Sequence, residues 1–553
     1  MKKIIVSVTT ILLSVFLLNV EAEVISQELA KQTADNFLSL DEEWQGEGDA
    51  TLRLVEEDGV PAYYIVEYNR GGWAVVSAQS TSIPVICYNP VGKYESPEPM
   101  QNLLKVNAKQ IVKDARLAQG VEHEGWRRVM QRKPAADPNS TPDISPLIKI
   151  DLDQSAPYNV KCPVIDGEHA LVGCVAVGMA QAMMVQRYPE RPNGKYSYKP
   201  EGMAALTIDY DQEPDYDWDA MYASEQTGDY DEIARLVYHC GVSVNMQYGL
   251  EGSGTQTERV ADALPRNFGY NSELVRYVDR PESDVEWLDI LLDDLLLGRV
   301  VVYRGQGEES GHCWNIDGWK QSTQMVHVNW GWGGYGNNYF NINAMEDKYQ
   351  GMSFPYMNGA VLGVGVPTTA PYGLKLSRTK FSIGTEAGVA LADVIVSCED
   401  TEADFAFEIL GPKNLTGKHT ASPYDVKDGK LISTKTIADS NAFKYMKMKV
   451  TNVNTDESFE KEFYIQITEG GAVEAVLSDA MRVYPSVAND VLTIEVPAVG
   501  GEYAIYSVSG AQVSKGELAQ YKTDVNVSNL AAGTYILRYV HNSGVGVKTF
   551  VKK

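Results

Sequence analysis

Hydrophobic positions change their spacing several times along the chain, and each change predicts an element. Leu29, Ala30, Ala34, Phe37 and Leu38 recur at helical intervals behind Ser26, a residue suited to cap a helix N-terminus. Ala62–Tyr68 and Trp73–Ala78 are strand-like runs, and Asn69-Arg70-Gly71-Gly72 between them reads as a hairpin turn. A long helical stretch follows from about Pro99 to Ala118. After Cys174 every residue to Val185 is apolar or small except Gln181, which predicts a helix buried on all sides. SGHCWNIDGW, opened by Gly311, reads as a strand, and Cys240 falls in a helical run ending at Gly241. Beyond about residue 371, Val/Ile/Thr-rich runs are broken by Gly, Asn and Asp, the pattern of β-sandwich modules.

The breaks between these patterns divide the chain. Met1, Lys2 and Lys3 precede an apolar run from Ile4 to Leu18, and Val20-Glu21-Ala22 offers small side chains where a signal peptidase reads. Residues 1–22 are therefore expected to be a signal peptide, because the run is shorter than the roughly 20 residues a spanning helix needs. Pro134, Pro138, Pro142 and Pro146 cluster among small and polar residues, so 133–146 is expected to be an exposed linker open to proteolytic cutting. The expected units are 23–146 (a small α+β unit with its Pro-rich linker), 147–366 (the chemically interesting domain), 367–480 (a β-sandwich module) and 481–553 (a compact terminal β unit). The fold class is α+β followed by all-β modules.

Composition narrows the partners. With 74 Asp+Glu against 48 Lys+Arg, the formal net charge is -26, which argues against a nucleic-acid partner. Six cysteines (87, 162, 174, 240, 313, 398) lack paired spacing, so neither a disulfide framework nor structural zinc is expected. No later segment reads as a membrane span.

The chemistry lies in four places. Cys174 opens the buried helix, where the helix dipole and free backbone N–H groups stabilise a thiolate. His312 follows inside the roughly 130–150-residue spacing between cysteine and histidine of papain-like enzymes. Asn329 and Trp330 come next in HVNWGWGG, and Gln154 in DQSAPYN lies upstream, where a side-chain amide can donate to an oxyanion. The order Gln, Cys, His, Asn/Trp is that of papain. Rival residues are weaker. Strand alternation turns Cys313 to the face opposite the imidazole. Cys162 lies in a loop, Cys240 in a core helix, His169 in a loop near Cys174, and His327 among packed strand residues.

These stretches carry a resemblance. DQSAPYN, GCVAVGMAQAMM with the following YP, GVSVNMQYG (241–249), RNFGYN (266–271), GHCWNIDG (311–318) and HVNWGWGG (327–334) resemble, in order, the blocks of the streptopain family of papain-like cysteine peptidases. The unit before them is similar to that family's inhibitory propeptide, chiefly at YYIVEYNRGGWAVVSA. The resemblance implies a papain-like endopeptidase made as a zymogen, with Cys174 as nucleophile, His312 as base and Gln154 as oxyanion donor. It implies Trp330 beside the imidazole where papain has Asn, leaving Asn329 the less favoured orienting residue. It also implies an apolar preference at the substrate residue before the scissile one, and no metal or organic cofactor. The Gly/Ser segment 251–256 resembles a loop bordering the family's cleft, although an ordinary mobile surface loop fits it equally. Cys313-Trp314 departs from the small or apolar pair of the family. Residues 482–553 resemble the C-terminal sorting domain of the type IX secretion system of Bacteroidetes-type bacteria, in RVYPSVANDVLTIEV, YAIYSVSGAQVSKG, VNVSNLAAGTYILRY and KTFVKK.

The expected partners are protein and peptide substrates, the chain's own propeptide as intramolecular inhibitor, and export machinery reached through the C-terminal domain. The expected location is secreted or attached to the outer surface. Two other functions fit the same features: a surface adhesive protein with a decayed peptidase domain, and a Cys–His acyl transferase. Intact Cys174, His312 and Gln154 oppose the first, and product analysis with amine acceptors separates the second.

Overall fold

The computed structural model describes residues 24–46, 48–117, 122–123, 125–132, 141–281, 283–306, 311–345, 358–400, 402–414, 417–468, 481–485, 487–496, 499–507, 512–541 and 544–553. The expected signal peptide and residues 133–140 of the linker lie outside them.

Helix α1 (Gln27–Leu38) begins where the Oγ of Ser26 accepts from the N–H of Leu29 at 3.2 Å. Strands β1 (Ala50–Glu57), β2 (Val60–Tyr68), β3 (Trp73–Ser77) and β4 (Val85–Asn89) form an antiparallel meander. The β2–β3 turn needs glycine at Gly72, which has φ +89°; a Cβ there would stand 2.9 Å from the carbonyl oxygen of Pro90. Helix α2 (Glu98–Leu117) completes the unit.

In the central domain, helix α3 (Cys174–Gln186) packs on α4 (Asp231–Ser243) and on one face of a sheet. That sheet contains β5 (Arg276–Asp279), β6 (Val301–Gln306), β7 (Gly311–Lys320), β8 (Met325–Asn329), β9 (Asn338–Phe340) and β10 (Gly359–Leu362). Helix α5 (Arg259–Phe268) lies against α4, and α6 (Asp284–Leu296) against the other face of the sheet. Alternation along β7 sorts its side chains: Cys313 joins the α3 core with Val177 and Val302, while Trp314 and Ile316 join the opposite core with Trp287 and Phe340.

The N-terminal unit does not sit apart from this sheet. Strand β4 pairs antiparallel with β9, Tyr88 opposite Tyr339 and Cys87 opposite Phe340. One sheet of ten strands results, in the order β1-β2-β3-β4-β9-β8-β7-β6-β10-β5. Beside the joint, the buried Lys320 Nζ lies 3.4 Å from Asp41, 3.3 Å from Glu43 and 3.5 Å from Asp143. Asp41, itself fully buried, also accepts from the Tyr88 hydroxyl at 2.7 Å.

Residues 141–146 are exposed at Pro142, Asp143 and Ser145, yet the segment is tied to the central sheet. Ile144 forms an antiparallel bridge with Trp319, its N–H and C=O each bonding at 2.8 Å, and Thr141 is buried with its carbonyl on Trp319 Nε1. Proline is tolerated here because the backbone N–H groups that bond β7 belong to Ile144 and Leu147, neither of them a proline.

Residues 373–468 form two four-stranded sheets and a parallel pair around Leu374, Phe381, Leu431, Met446 and Phe463. Residues 482–552 form three- and five-stranded sheets around Leu492, Ile494, Ile505, Leu537 and Phe550. Buried charges join these units to the central domain. Arg299 pairs with Glu399, Arg280 and Arg482 both hold Asp284, and Glu495 accepts from the Asp284 N–H at 3.0 Å. No helix among the described residues is long and apolar enough to cross a membrane.

Candidate active site

The site forms where the N-terminus of α3 meets the start of β7. Gly173, at φ +90°, precedes the helix; a Cβ there would press on the Met246 sulfur at 2.6 Å, so the approach to the cysteine is glycine-specific. Cys174 is the first helical residue, half-buried, with the N–H of Val175 directed at its sulfur. His312 lies on β7 opposite Gly305 and reaches the same sulfur.

The electrostatics describe an ion pair. Burial pushes the Cys174 thiol up, but the charge and hydrogen bond of His312, with the N–H groups of Cys313 and Val175, outweigh it and hold the pKa below its ordinary value. For His312 burial works downward, and the Cys174 thiolate together with the Trp330 carbonyl raises it above the usual imidazole value. Nε2 of His312 lies 3.0 Å from the backbone oxygen of Trp330, which leaves Nδ1 for the sulfur.

The means of holding the imidazole differs from both expected versions. The indole of Trp330 packs against Trp314 (centroids 5.5 Å) and Phe340 (6.2 Å), and its Nε1 donates to the Gly336 carbonyl at 2.9 Å. The rings flanking His312 are Trp314 and Trp332, each 6.4 Å away. Trp330 thus meets the imidazole through its backbone carbonyl. Asn329 points to the other face, where its Nδ2 donates to Asp151 at 2.6 Å and its Oδ1 accepts from the Gly331 N–H at 3.0 Å and Gln181 Nε2 at 3.3 Å. Gln181 in turn accepts from Asn315 at 3.0 Å. This buried chain ties α3, β7, the 329–331 turn and residue 151 together. Sequence reasoning missed Asp151 and Asn315, and noted Trp332 in HVNWGWGG without giving it a role. Gln181 carried a trace, as the only polar residue between Cys174 and Val185.

Gln154 lies beside the nucleophile's entry, its carbonyl accepting from the Val172 N–H at 2.9 Å. Segment 251–256 packs against the same entry: Ser253 is buried, its Oγ donates to the Leu171 carbonyl at 2.7 Å, and Gln247 and Gly254 exchange backbone bonds. The other candidates have different partners. His169 bonds the Cys162 carbonyl at 2.8 Å, His327 bonds Asp317 at 2.6 Å, and Cys240 is fully buried in α4. Cys162 is buried, and burial pushes its thiol up to about 12.

A pH dependence follows. The reactive pair exists between the lowered pKa of Cys174 and the raised pKa of His312: acid protonates the thiolate, and alkali removes the imidazolium proton. Alkylation by iodoacetamide should stay fast well below the ordinary thiol range near about 8.5. His312→Ala should move the rise in rate upward, since burial is then opposed only by the N–H groups of Cys313 and Val175. A wild-type rise near that ordinary value would contradict the ion pair.

Residues 152–340 match the model of the Peptidase C10 family, residues 22–112 that of the Spi protease inhibitor, and residues 482–553 that of the secretion system C-terminal sorting domain. Streptopain of Streptococcus pyogenes is 27% identical over 337 residues, spanning 54% of this chain and 80% of streptopain. The thiol protease/hemagglutinin PrtT of Porphyromonas gingivalis is 29% identical over 372 residues, 63% of this chain but 42% of that protein. Among solved structures, active wild-type interpain A cysteine protease of Prevotella intermedia is 30% identical, with 42% of this chain and 99% of that chain covered and a TM-score of 0.37. A prointerpain A fragment from the same organism is 27% identical, with 58% and 100% covered and a TM-score of 0.49.

Proposed function

The chain belongs to the Peptidase C10 family of streptopain-like cysteine peptidases, and on that premise we propose a secreted cysteine endopeptidase, made as a zymogen, that works through a Cys174 thioester. The Cys174 thiolate attacks the scissile carbonyl. The Gln154 side-chain amide and the Cys174 N–H stabilise the oxyanion. The imidazolium of His312 protonates the leaving amine, and water then hydrolyses the thioester. The observation that carries this reading is the mutual shift of Cys174 and His312, with the Trp330 carbonyl on the far nitrogen of the ring. An apolar preference before the scissile residue is part of the proposal on the strength of kinship. A peptide series varied at that position tests it, and equal kcat/KM for apolar and charged residues would remove it.

The unit order of the proposal is signal peptide 1–22, propeptide and linker 23–146, peptidase 147–366, β-sandwich module 367–480 and sorting domain 481–553. The match of the last unit to a secretion sorting domain supports export and attachment at the outer surface.

As a zymogen the enzyme is held latent by the N-terminal unit, which is expected to cover the cleft and which contacts the loop beside it. Besides the β4–β9 pairing and the Lys320 cluster, the N-terminal unit reaches the Ala344 carbonyl through Asn107 at 2.7 Å and the loop that follows Trp330. Glu95 accepts from the Gly336 N–H at 3.2 Å, Asn89 donates to the Asn337 carbonyl at 2.9 Å, and the charge of Glu98 bears on His312. We propose that the propeptide restrains the enzyme through the loop that holds the imidazole. Removing one partner of a buried ion pair costs about 3–5 kcal/mol. Lys320→Met should therefore loosen the propeptide and speed processing several-fold, with the turnover of processed enzyme unchanged. Intact-mass measurement over time reads this: the wild type shortens at its N-terminus and Cys174→Ala persists at full length. A precursor that hydrolyses peptides as fast as the processed form would contradict latency.

A further inference from the structure

The Cys313 thiol has no part in the mechanism above, yet it stands beside the nucleophile. It follows His312 on β7, and strand alternation turns its side chain toward α3. Its sulfur lies 3.2 Å from where a Cβ on Gly178 would stand. Gly178 is one helical turn beyond Cys174 on the same face of α3. The backbone N–H of Cys313 is itself directed at the Cys174 sulfur. The second thiol therefore packs one helical turn from the first, close enough for the Cys174 charge to act on it. The two differ in access: Cys174 is half-buried at the mouth of the site, whereas Cys313 is 2% exposed.

We propose that Cys313 is a resolving thiol, closing a reversible disulfide with Cys174 after a peroxide has oxidised the nucleophile. This rests on Cys174 being the reactive thiolate. In the first step the Cys174 sulfur attacks one peroxide oxygen, the O–O bond breaks, and the other oxygen leaves as water after taking a proton. Cys174 is then a sulfenic acid. The Cys313 sulfur attacks the sulfenyl sulfur, the S–O bond breaks, and the departing hydroxide takes the Cys313 proton as water. Two thiols have become one disulfide, and hydrogen peroxide two waters. An external dithiol reverses the closure by exchange. Burial holds the Cys313 thiol well above its ordinary pKa, and the Cys174 thiolate adds to this. The second cause disappears once Cys174 is a neutral sulfenic acid, so resolution becomes easier when it is needed. The disulfide protects the nucleophile from sulfinic acid, which thiols do not reverse.

The test uses the full-length protein. Untreated protein is first mapped for epoxysuccinyl-peptide labelling; absence of label from Cys174 would fail the nucleophile reading rather than this one. Protein treated with hydrogen peroxide is then digested without reductant and examined by mass spectrometry. The expected result is a Cys174–Cys313 cross-linked peptide lacking two hydrogens, and labelling that returns with dithiothreitol. In Cys313→Ala the cross-link is absent, Cys174 proceeds to sulfinic acid, and recovery falls about five-fold or more. Cys313→Ser serves if the alanine variant does not fold, and wild-type cross-link mapping is decisive without either. Oxidised Cys174 with no cross-link to Cys313, or equal recovery in the variant, overturns the proposal.

Discussion

Cys174→Ala abolishes peptide hydrolysis and labelling by an epoxysuccinyl peptide, while Cys313→Ala keeps both. The loss expected is about 10⁴-fold or more, because removing the nucleophile leaves only oxyanion stabilisation and binding. Cys174 alone among the six cysteines has its pKa lowered; where a shift is resolved for the others, burial pushes the thiol up. Alanine in place of Cys174 removes one sulfur at the first turn of a helix whose other residues supply the core, so the variant should fold. Activity retained by folded Cys174→Ala would end the assignment.

The second large effect lies in how the imidazole is held. Trp330→Ala should lower kcat by about 10²-fold or more, roughly 3 kcal/mol on the transition state. The Trp330 carbonyl meets His312, and that carbonyl is located by an indole locked between Trp314, Phe340 and the Gly336 oxygen. Without the indole the turn loses its anchor and the ring its near-attack geometry. Asn329→Ala should cost less, because its side chain braces Asp151, Gln181 and Gly331 and leaves the Trp330 carbonyl in place. Both variants need a folding check by thermal melting, since deleting a fully buried Trp removes about 3–5 kcal/mol of stability. Near-normal turnover in folded Trp330→Ala, with loss in Asn329→Ala, would make the site a conventional Cys–His–Asn triad.

Local signals were the legible part of this chain. The Ser26 cap, the turn at Gly72 and the apolar helix behind Cys174 depend on residues within a few positions of each other, and residue type reports them directly. Strand alternation placed Cys313 on the face opposite the imidazole for the same reason. What stayed hidden was carried by backbone atoms or by distant pairings. A carbonyl that holds a histidine can belong to any residue, so HVNWGWGG named Trp330 without revealing which of its atoms acts. The proline-rich stretch at 141–146 gave no sign of its hydrogen bonds to the far end of β7, a partner unknown until the sheet is assembled. Nothing local brings Lys320 together with Asp41 and Glu43, which are far apart in sequence and meet only where β4 pairs with β9.

The ion pair of Cys174 and His312 is tested most directly by mapping where an epoxysuccinyl peptide attaches at mildly acidic pH, in the wild type beside His312→Ala. The account predicts one adduct, on Cys174, formed fast in the wild type and slowly in the variant. An adduct on another cysteine, or equal rates in the two proteins, would contradict it.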